Sequence, residues 1–386
     1  MTLRPLTLIG IILSIVTGLA LGVLAHLHTR PPESLESAQI IERALQQVGH
    51  SYVEAISEEV LRDRALHGMM QGLDPYSDFL SARQFNALRA STSGRFGGIG
   101  IELSQVDGAF TVIAPLDNTP ADRAGLMAGD QIVDIDAQPV RGLTLSHLIE
   151  RLRGEPGSSV ALRVLRGDHT VDFEVIREMI KVASVRGRLL EPGYAYLRIS
   201  QFQHTTDTDL VRVLEDLRRD NQENLSGLII DLRNNPGGTL RSSVAVVDHF
   251  LESGLIVYTE GRLRSSSLKY RASRGDLLQG GPLVVLINQG SASAAEIVAG
   301  ALQDHSRAKI IGTRSYGKGS VQSVLPLDDE QAIKITTAYY FTPNGRSIHE
   351  AGIEPDITFE GDEAMLLDTA IQLLKSESAE RRQARG

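Results

Sequence analysis

Between residues 193 and 315, short apolar runs alternate with amphipathic stretches, and this alternation constrains the fold more than any other feature of the chain. GYAYLRISQF, SGLIIDLRNN, GPLVVLINQG and AKIIGTR read as strands. DTDLVRVLEDLRRD, LRSSVAVVDHFLESG and SAAEIVAGALQDH read as helices between them. Strands apolar on both faces need cover on both faces, so an α/β sheet layered with helices is expected. The pattern then changes to two consecutive strand-like segments, SVQSVLPL and QAIKITTAYYFT. The last segment, DEAMLLDTAIQLLKSESAERRQARG, reads as one short helix running into a charged tail.

At 386 residues the chain has room for two or three folded units, taking roughly 100 to 200 residues per domain. After the Pro31-Pro32 break, SAQIIERALQQVGHSYVEAI and SEEVLRDRALHGMMQGL read as helices, the second with the stripe Val60, Leu61, Ala65, Leu66, Met69, Met70 expected to pack. Asp74-Pro75 stops it. A glycine cluster, SGRFGGIGIEL, opens a small, strand-rich unit containing AFTVIAP, GDQIVDIDAQPV, SVALRVLRG and TVDFEVI, with helices at Ala121 to Ala124 and over LTLSHLIERLRG. Hydrophobic residues at 42% and charged residues at 23% exclude collagen-like, coiled-coil and wholly disordered readings. A net charge of -9 argues against nucleic-acid binding. The absence of cysteine excludes disulfides, thiolate metal sites and a cysteine nucleophile.

Pro5 to Ala25 carries no charge and follows Arg4. About 20 such residues can cross a hydrocarbon core, so the segment reads either as a retained signal anchor or as a signal peptide cleaved after Val23 to Ala25. Both readings place residues 31 onward outside the cytoplasm.

Three glycine-containing stretches carry the chemistry. DLRNNPGG at 231–238 follows a strand, and its amides can converge on an anion, although an ordinary strand-ending turn looks the same. GSASAAE at 290–296 can expose a serine beside helix-terminal amides, although serine is also a common N-cap. GTRSYGKGSVQ at 312–322 approaches a P-loop, but Gly319 stands where magnesium coordination needs a hydroxyl, and a strand follows where a helix is required. Its local Ser315-x-x-Lys318 is a weak pair because glycines oppose the helix that would align it.

NQGSASAAEIVAGALQD and GTRSYGKGSVQSVLPL together resemble the C-terminal processing, or tail-specific, proteases of peptidase family S41. The resemblance implies Ser293 as nucleophile and Lys318 as general base, 25 residues apart, with Gln322 positioning the lysine. It also implies an oxyanion hole from Gly237 or Gly238 together with Ala294. YYFTPNGRSIHEAGIEPDI and GMMQGLDPYSDFLS resemble further family segments, and FGGIGIEL with PADRAGLMAGDQIVDIDAQPV resembles a PDZ domain. Its carboxylate-binding loop is expected at Phe96, Gly97, Gly98, Ile99, Gly100 and Ile101, receiving a chain end as an added strand.

The fold class expected is thus a multidomain α/β protein: a mixed α/β serine protease core of the S41, crotonase-like type, with an inserted PDZ domain and N-terminal helices. The divisions are a signal anchor or signal peptide at 1–30, helices at 31–92, PDZ domain at 93–178, protease core at 179–360, and a helix with charged tail at 361–386. No cofactor and no metal is implied. The partners are protein substrates with accessible nonpolar C-terminal tails, an adaptor or homo-oligomer, and the membrane through the N-terminal segment. The location is the bacterial inner membrane with the catalytic domain in the periplasm, or secretion to the periplasm after signal cleavage. Tyr316, Val321 and Val324 are locally available to dry the Lys318 ammonium. Two other function classes are a PDZ adaptor with an inactive core, which would not need Ser293, Lys318 and Gln322, and an enzyme acting on acyl thioesters, which suits export and a PDZ domain less well.

Overall fold

The computed structural model describes residues 32–106, 109–116, 118–222, 224–273 and 275–385. The described residues form two compact units, divided between Phe79 and Leu80. In the first, helices α1 (Pro32–Ser51) and α2 (Glu58–Gln71) are joined by a short loop. Ser57 caps α2 by accepting from the Val60 amide, satisfying one of the free donors at the helix start. Asp74 ends the segment by accepting from the amides of Tyr76 and Ser77. The expected packing stripe of α2 is only partly covered: Leu61, Ala65, Leu66 and Met70 are half-buried, whereas Val60 and Met69 are exposed. Apolar spacing marks a face but cannot say what covers it. The uncharged run Pro5 to Ala25 lies outside the described residues. Among those described, no helix is long and apolar enough to cross a membrane.

The second unit opens with α3 (Ala82–Ser93), ended by Gly94 at φ 68°. Strand β1 (Arg95–Gly98) leads into an antiparallel sheet of β2 (Ile101–Val106), β3 (Ala109–Pro115), β4 (Gln131–Ile135), β5 (Ser159–Arg166) and β6 (His169–Ile176). Helices α4 (Pro120–Ala124) and α5 (Leu145–Leu152) complete it. Its core, including Phe110, Val112, Leu148, Leu162 and Val164, is separate from that of the following domain. Strand β7 (Glu178–Lys181) returns antiparallel to β1, so both connections of this small domain are joined in one two-stranded ribbon.

The main sheet runs in the order β8 (Val185–Glu191), β9 (Tyr194–Ile199), β10 (Gly227–Asp231), β13 (Leu283–Ile287), β14 (Lys309–Gly312) and β17 (Ile357–Thr358). All neighbours are parallel except β8 and β9. Alternating side chains divide between two layers. Leu228, Ile230, Val285 and Ile310 enter the larger core, shared with α6 (Thr206–Asn221), α7 (Leu240–Asp248) and α8 (Ala294–Asp304). Ile229, Val284, Leu286 and Ile311 face α9 (Glu363–Arg385) through Leu366, Ala370, Ile371 and Leu374. Helix α9 continues through the stretch read as a charged tail, whose Ala, Glu, Gln and Arg residues are good helix formers. A second sheet pairs β15 (Ser320–Pro326) with β16 (Ala332–Phe341), β16 with β11 (Gly254–Glu260), and β11 with β12 (Lys269–Ala272).

Leu197 is fully buried in β9 of the main sheet. Leu197→Ala should lower unfolding free energy by about 2–5 kcal/mol through lost burial and the cavity left behind. Leu327→Ala, at a residue 50% exposed, should change it by less than about 0.5 kcal/mol. Urea unfolding of the full chain checks both.

Candidate active site

Parallel strands β10 and β13 end side by side, and the loops leaving them meet. Asn234 and Asn288 lock the loops together: the Asn234 amide donates to Asn288 Oδ1 at 2.8 Å, and Asn288 Nδ2 donates to Asn234 Oδ1 at 2.9 Å. Ser291 Oγ donates to the Leu232 carbonyl at 2.8 Å. Fully buried Asn235 holds the glycine turn from inside, accepting from the Gly237 amide and donating to the Ile199 carbonyl, each at 2.9 Å. Its own carbonyl accepts from the Ala292 amide at 2.9 Å.

Ser293 caps α8 with φ 54° and ψ -112°. Such a backbone costs a non-glycine residue on the order of 1–3 kcal/mol and persists only where its surroundings enforce it. Here glycine at 237 leaves the room that backbone needs, since a Cβ at 237 would lie 2.9 Å from that of Ser293. From the other side, the Ser293 amide donates to Glu296 Oε2 at 2.7 Å.

Glu296 is fully buried and gathers the site. Its Oε1 accepts from Ser315 Oγ and the Gly317 amide, each at 2.6 Å. Its Oε2 accepts from the Lys318 amide at 2.9 Å as well as from Ser293. Two hydrogen bonds to one oxygen therefore hold the backbone nitrogens of Ser293 and Lys318 within two hydrogen-bond lengths of each other. Burial pushes the Glu296 carboxyl up, while the four donors pull in the opposite direction. Ser315 is committed to this bracing, because its hydroxyl also accepts from the Ile353 amide at 2.7 Å.

Burial pushes the Lys318 ammonium below its ordinary value of 10.5, the positive charge of Lys334 adds to that shift, and Glu296 opposes it. Of the side chains expected to dry it, Val321 packs against the main core, whereas Tyr316 is 60% exposed and Val324 36% exposed. Gln322 donates to Ser320 Oγ at 2.8 Å and to Thr336 Oγ1 at 3.4 Å, across the β15–β16 pairing.

On the other side of Ser293, the Gly237 amide is occupied by Asn235. The amides of Gly238 and of Ala294, the first residue of α8, have no hydrogen-bond partner among the described residues. Gly238, at φ 141°, packs so tightly on Phe202 that a Cβ would stand 2.1 Å from its carbonyl oxygen. Tyr340 is buried on β16, its amide donates to the Gly319 carbonyl at 2.7 Å, and its phenol lies close to the Ser293 side chain. Burial raises that phenol.

The candidate chain-end loop is divided. Phe96, Gly97 and Gly98 belong to β1 and pair with Ile180, Met179 and Glu178. Ile99 and Gly100 make the turn beyond it and Ile101 opens β2, with Gly100 at φ 79° and its carbonyl accepting from the Leu116 amide.

Sequence reasoning singled out neither Glu296, Asn235 nor Tyr340. Glu296 had a readable signal in the Ser293-x-x-Glu296 capping-box spacing. Asn235 and Tyr340 had none, since only tertiary packing brings them to the serine.

Residues 193–359 match the model of peptidase family S41, and residues 97–176 match that of the PDZ domain. The carboxy-terminal-processing protease of Bartonella bacilliformis is 43% identical over 318 residues, covering 82% of this chain and 73% of that protein. The carboxy-terminal processing protease CtpA of Bacillus subtilis is 30% identical over 322 residues, covering 83% and 68%. A putative S41 protease from Bacteroides fragilis shares the fold at a TM-score of 0.50, with 16% identity over 81% of this chain and 87% of its own. Fold and matches define a serine-type peptidase carrying a PDZ domain. More narrowly, the chain belongs to peptidase family S41, among the carboxy-terminal processing proteases.

Glu296→Ala would strand four donors, each costing about 1–3 kcal/mol when left buried and unpaired. It should lower the urea midpoint and abolish peptide hydrolysis. Glu296→Gln keeps the volume but turns an amide group toward donors, so it should stay folded and lose turnover. Paired unfolding and hydrolysis measurements check this.

Proposed function

We propose that the chain is an endopeptidase that cleaves proteins near their C-termini with Ser293 as nucleophile and Lys318 as general base. The observation that carries this reading is the shared Glu296 Oε2, which sets the serine and lysine backbones side by side although 25 residues separate them. A serine hydroxyl needs a proton acceptor at neutral pH, and a neutral amine serves once its charged form is desolvated. Lys318 has that environment.

Ser293 Oγ attacks the scissile carbonyl carbon as its proton passes to Lys318 Nζ. The oxyanion is held by the amides of Gly238 and Ala294, which have no acceptor among the described residues, whereas the Gly237 amide already has one. Lys318 returns the proton to the leaving amine, giving an acyl-serine. Water then attacks the ester while Lys318 takes its proton, and Ser293 departs protonated. Gln322 keeps the start of β15 in register through Ser320 and Thr336, and so positions Lys318 from beyond its own strand end. Tyr340 positions the Ser293 hydroxyl.

In this reading the PDZ domain takes the substrate's chain end, with the turn at Ile99 to Ile101 supplying backbone donors for the carboxylate and an apolar tail laid along β2. The substrates are proteins with accessible nonpolar C-terminal tails. The uncharged run from Pro5 to Ala25 supports an extracytoplasmic enzyme, held at the inner membrane or released after cleavage of that segment. Its bacterial relatives are in keeping with a periplasmic site.

Ser293→Ala and Lys318→Ala should each abolish most cleavage of a tailed protein while leaving its binding intact, as read by intact-protein mass spectrometry and a separate binding assay. Full turnover by a folded Ser293→Ala protein would reject the nucleophile. Because the neutral lysine is the active form, kcat/KM should rise with pH through a pKa below 10.5. Lys334→Gln removes a nearby cation, so that limb should move to higher pH.

Tyr340→Phe removes one hydroxyl and little volume. It should lower kcat with KM and the pH of the limb unchanged, since it misplaces the nucleophile without altering the base, and a displacement of about 1 Å can cost on the order of 100-fold. Steady-state kinetics over the pH range check this, and an unchanged kcat would assign Tyr340 to packing alone.

A further inference from the structure

A groove of about 1070 Å³ runs between α3, β1 and the outer side of α5, away from Ser293 in the fold. Five arginines line it, Arg83, Arg89, Arg95, Arg151 and Arg153, against only two carboxylates, Glu150 and Glu155. This local excess of positive charge sits in a chain of net charge -9. Arg83 is paired with Glu150. Among the described residues, the other four arginines have no carboxylate partner.

These cations are held in place rather than left to wander. Arg89 lies over the Phe85 ring at 3.9 Å and Arg153 over the Phe96 ring at 4.5 Å. Nη1 of Arg151 is buried without a hydrogen-bond partner. The groove also has apolar lining, from Leu143 and the exposed Met179. Strand β1, which contributes Phe96 and Gly97, pairs with β7 on one edge, and on the other its Gly97 carbonyl accepts from the Gly154 amide.

We propose that this groove binds an extended acidic peptide segment of a partner or substrate protein, with carboxylates on the arginine rim and interleaved apolar side chains on the floor. Charge complementarity selects the acidic side chains, and the concave shape with its apolar floor favours a peptide over a lipid surface. The site is distinct from the chain-end turn at Ile99 to Ile101: it reads side-chain carboxylates along a segment and has no use for a free terminus. It gives the small domain a second means of selecting proteins, independent of the hydrolytic step.

The test uses the full chain carrying Ser293→Ala, in detergent, and a fluorescein-labelled peptide of alternating Glu and Leu with an amidated C-terminus. Fluorescence anisotropy should show saturable binding that weakens as salt is raised, with no saturation by the matched Lys and Leu peptide. Arg89→Glu with Arg95→Glu, both exposed positions, should weaken binding about tenfold or more by turning attraction into repulsion. Arg264→Glu, on another face, should leave it unchanged, and Arg151→Met should weaken it without reversing charge. Equal binding by the charge-reversed protein, equal binding of the Lys and Leu peptide, or a requirement for a free C-terminal carboxylate would each overturn the proposal. So would a charge reversal that abolishes sedimentation with phosphatidylglycerol vesicles while sparing the peptide. Hydrolysis by the wild-type chain, measured separately, reports on the catalytic reading alone.

Discussion

The buried carboxylate of Glu296 is the interaction on which the catalytic geometry depends. It lies on the first turn of α8, yet its acceptors are filled from two places: the serine that caps the helix and the loop that leads into β15. A buried carboxylate must be hydrogen-bonded to be tolerated, so the loop carrying Lys318 is drawn to the helix start by the same requirement that keeps Glu296 inside. The unusual backbone of Ser293 follows from this arrangement. Glycine at 237 leaves room for it on one side and the carboxylate draws its amide on the other.

The surrounding sheet supplies rigidity to match. Strands β10 and β13 end together because parallel pairing puts Asp231 opposite Leu286, and the loops that follow are cross-linked by Asn234 and Asn288. Asp231 is itself fixed by Tyr196 and Arg233, at 2.6 Å from each. Small residues occur where backbones approach too closely for anything larger: a Cβ at Gly312 would stand 2.0 Å from the Ile287 carbonyl oxygen. The site therefore rests on regular strands and one helix rather than on long loops, and a one-residue slip would separate the serine turn from its donors.

The PDZ domain joins this framework through a narrow connection. Gly94 and Val182, side by side at one end of the β1–β7 ribbon, are hydrogen-bonded to each other, and the Thr92 carbonyl accepts from the His204 amide. Two residues before His204, Phe202 pairs with the glycine turn beside Ser293. A short run of backbone hydrogen bonds thus links the place where the PDZ domain attaches to the place where an oxyanion would form.

Much of this was legible beforehand because it depends on local order. The alternation of apolar and amphipathic runs specified the layered sheet, and the glycine stretches around Ser293 and Lys318 marked the loops that meet. The α2 stripe around Met69 misled because periodicity reports a face and not its neighbour, and the end of α9 was longer than its charge suggested because charged residues are good helix formers. Exposure of Tyr316 and Val324 could not be read from their closeness to Lys318 in the chain. By itself the sequence determined strands, helices and the residue types available for chemistry, all of which follow from short-range pattern. Only the tertiary structure decided that Glu296 would join two loops, that Gly238 rather than Gly237 would keep its amide unoccupied, and that Tyr340 would reach Ser293. Those outcomes depend on how buried polar groups compete for partners once distant segments are packed together.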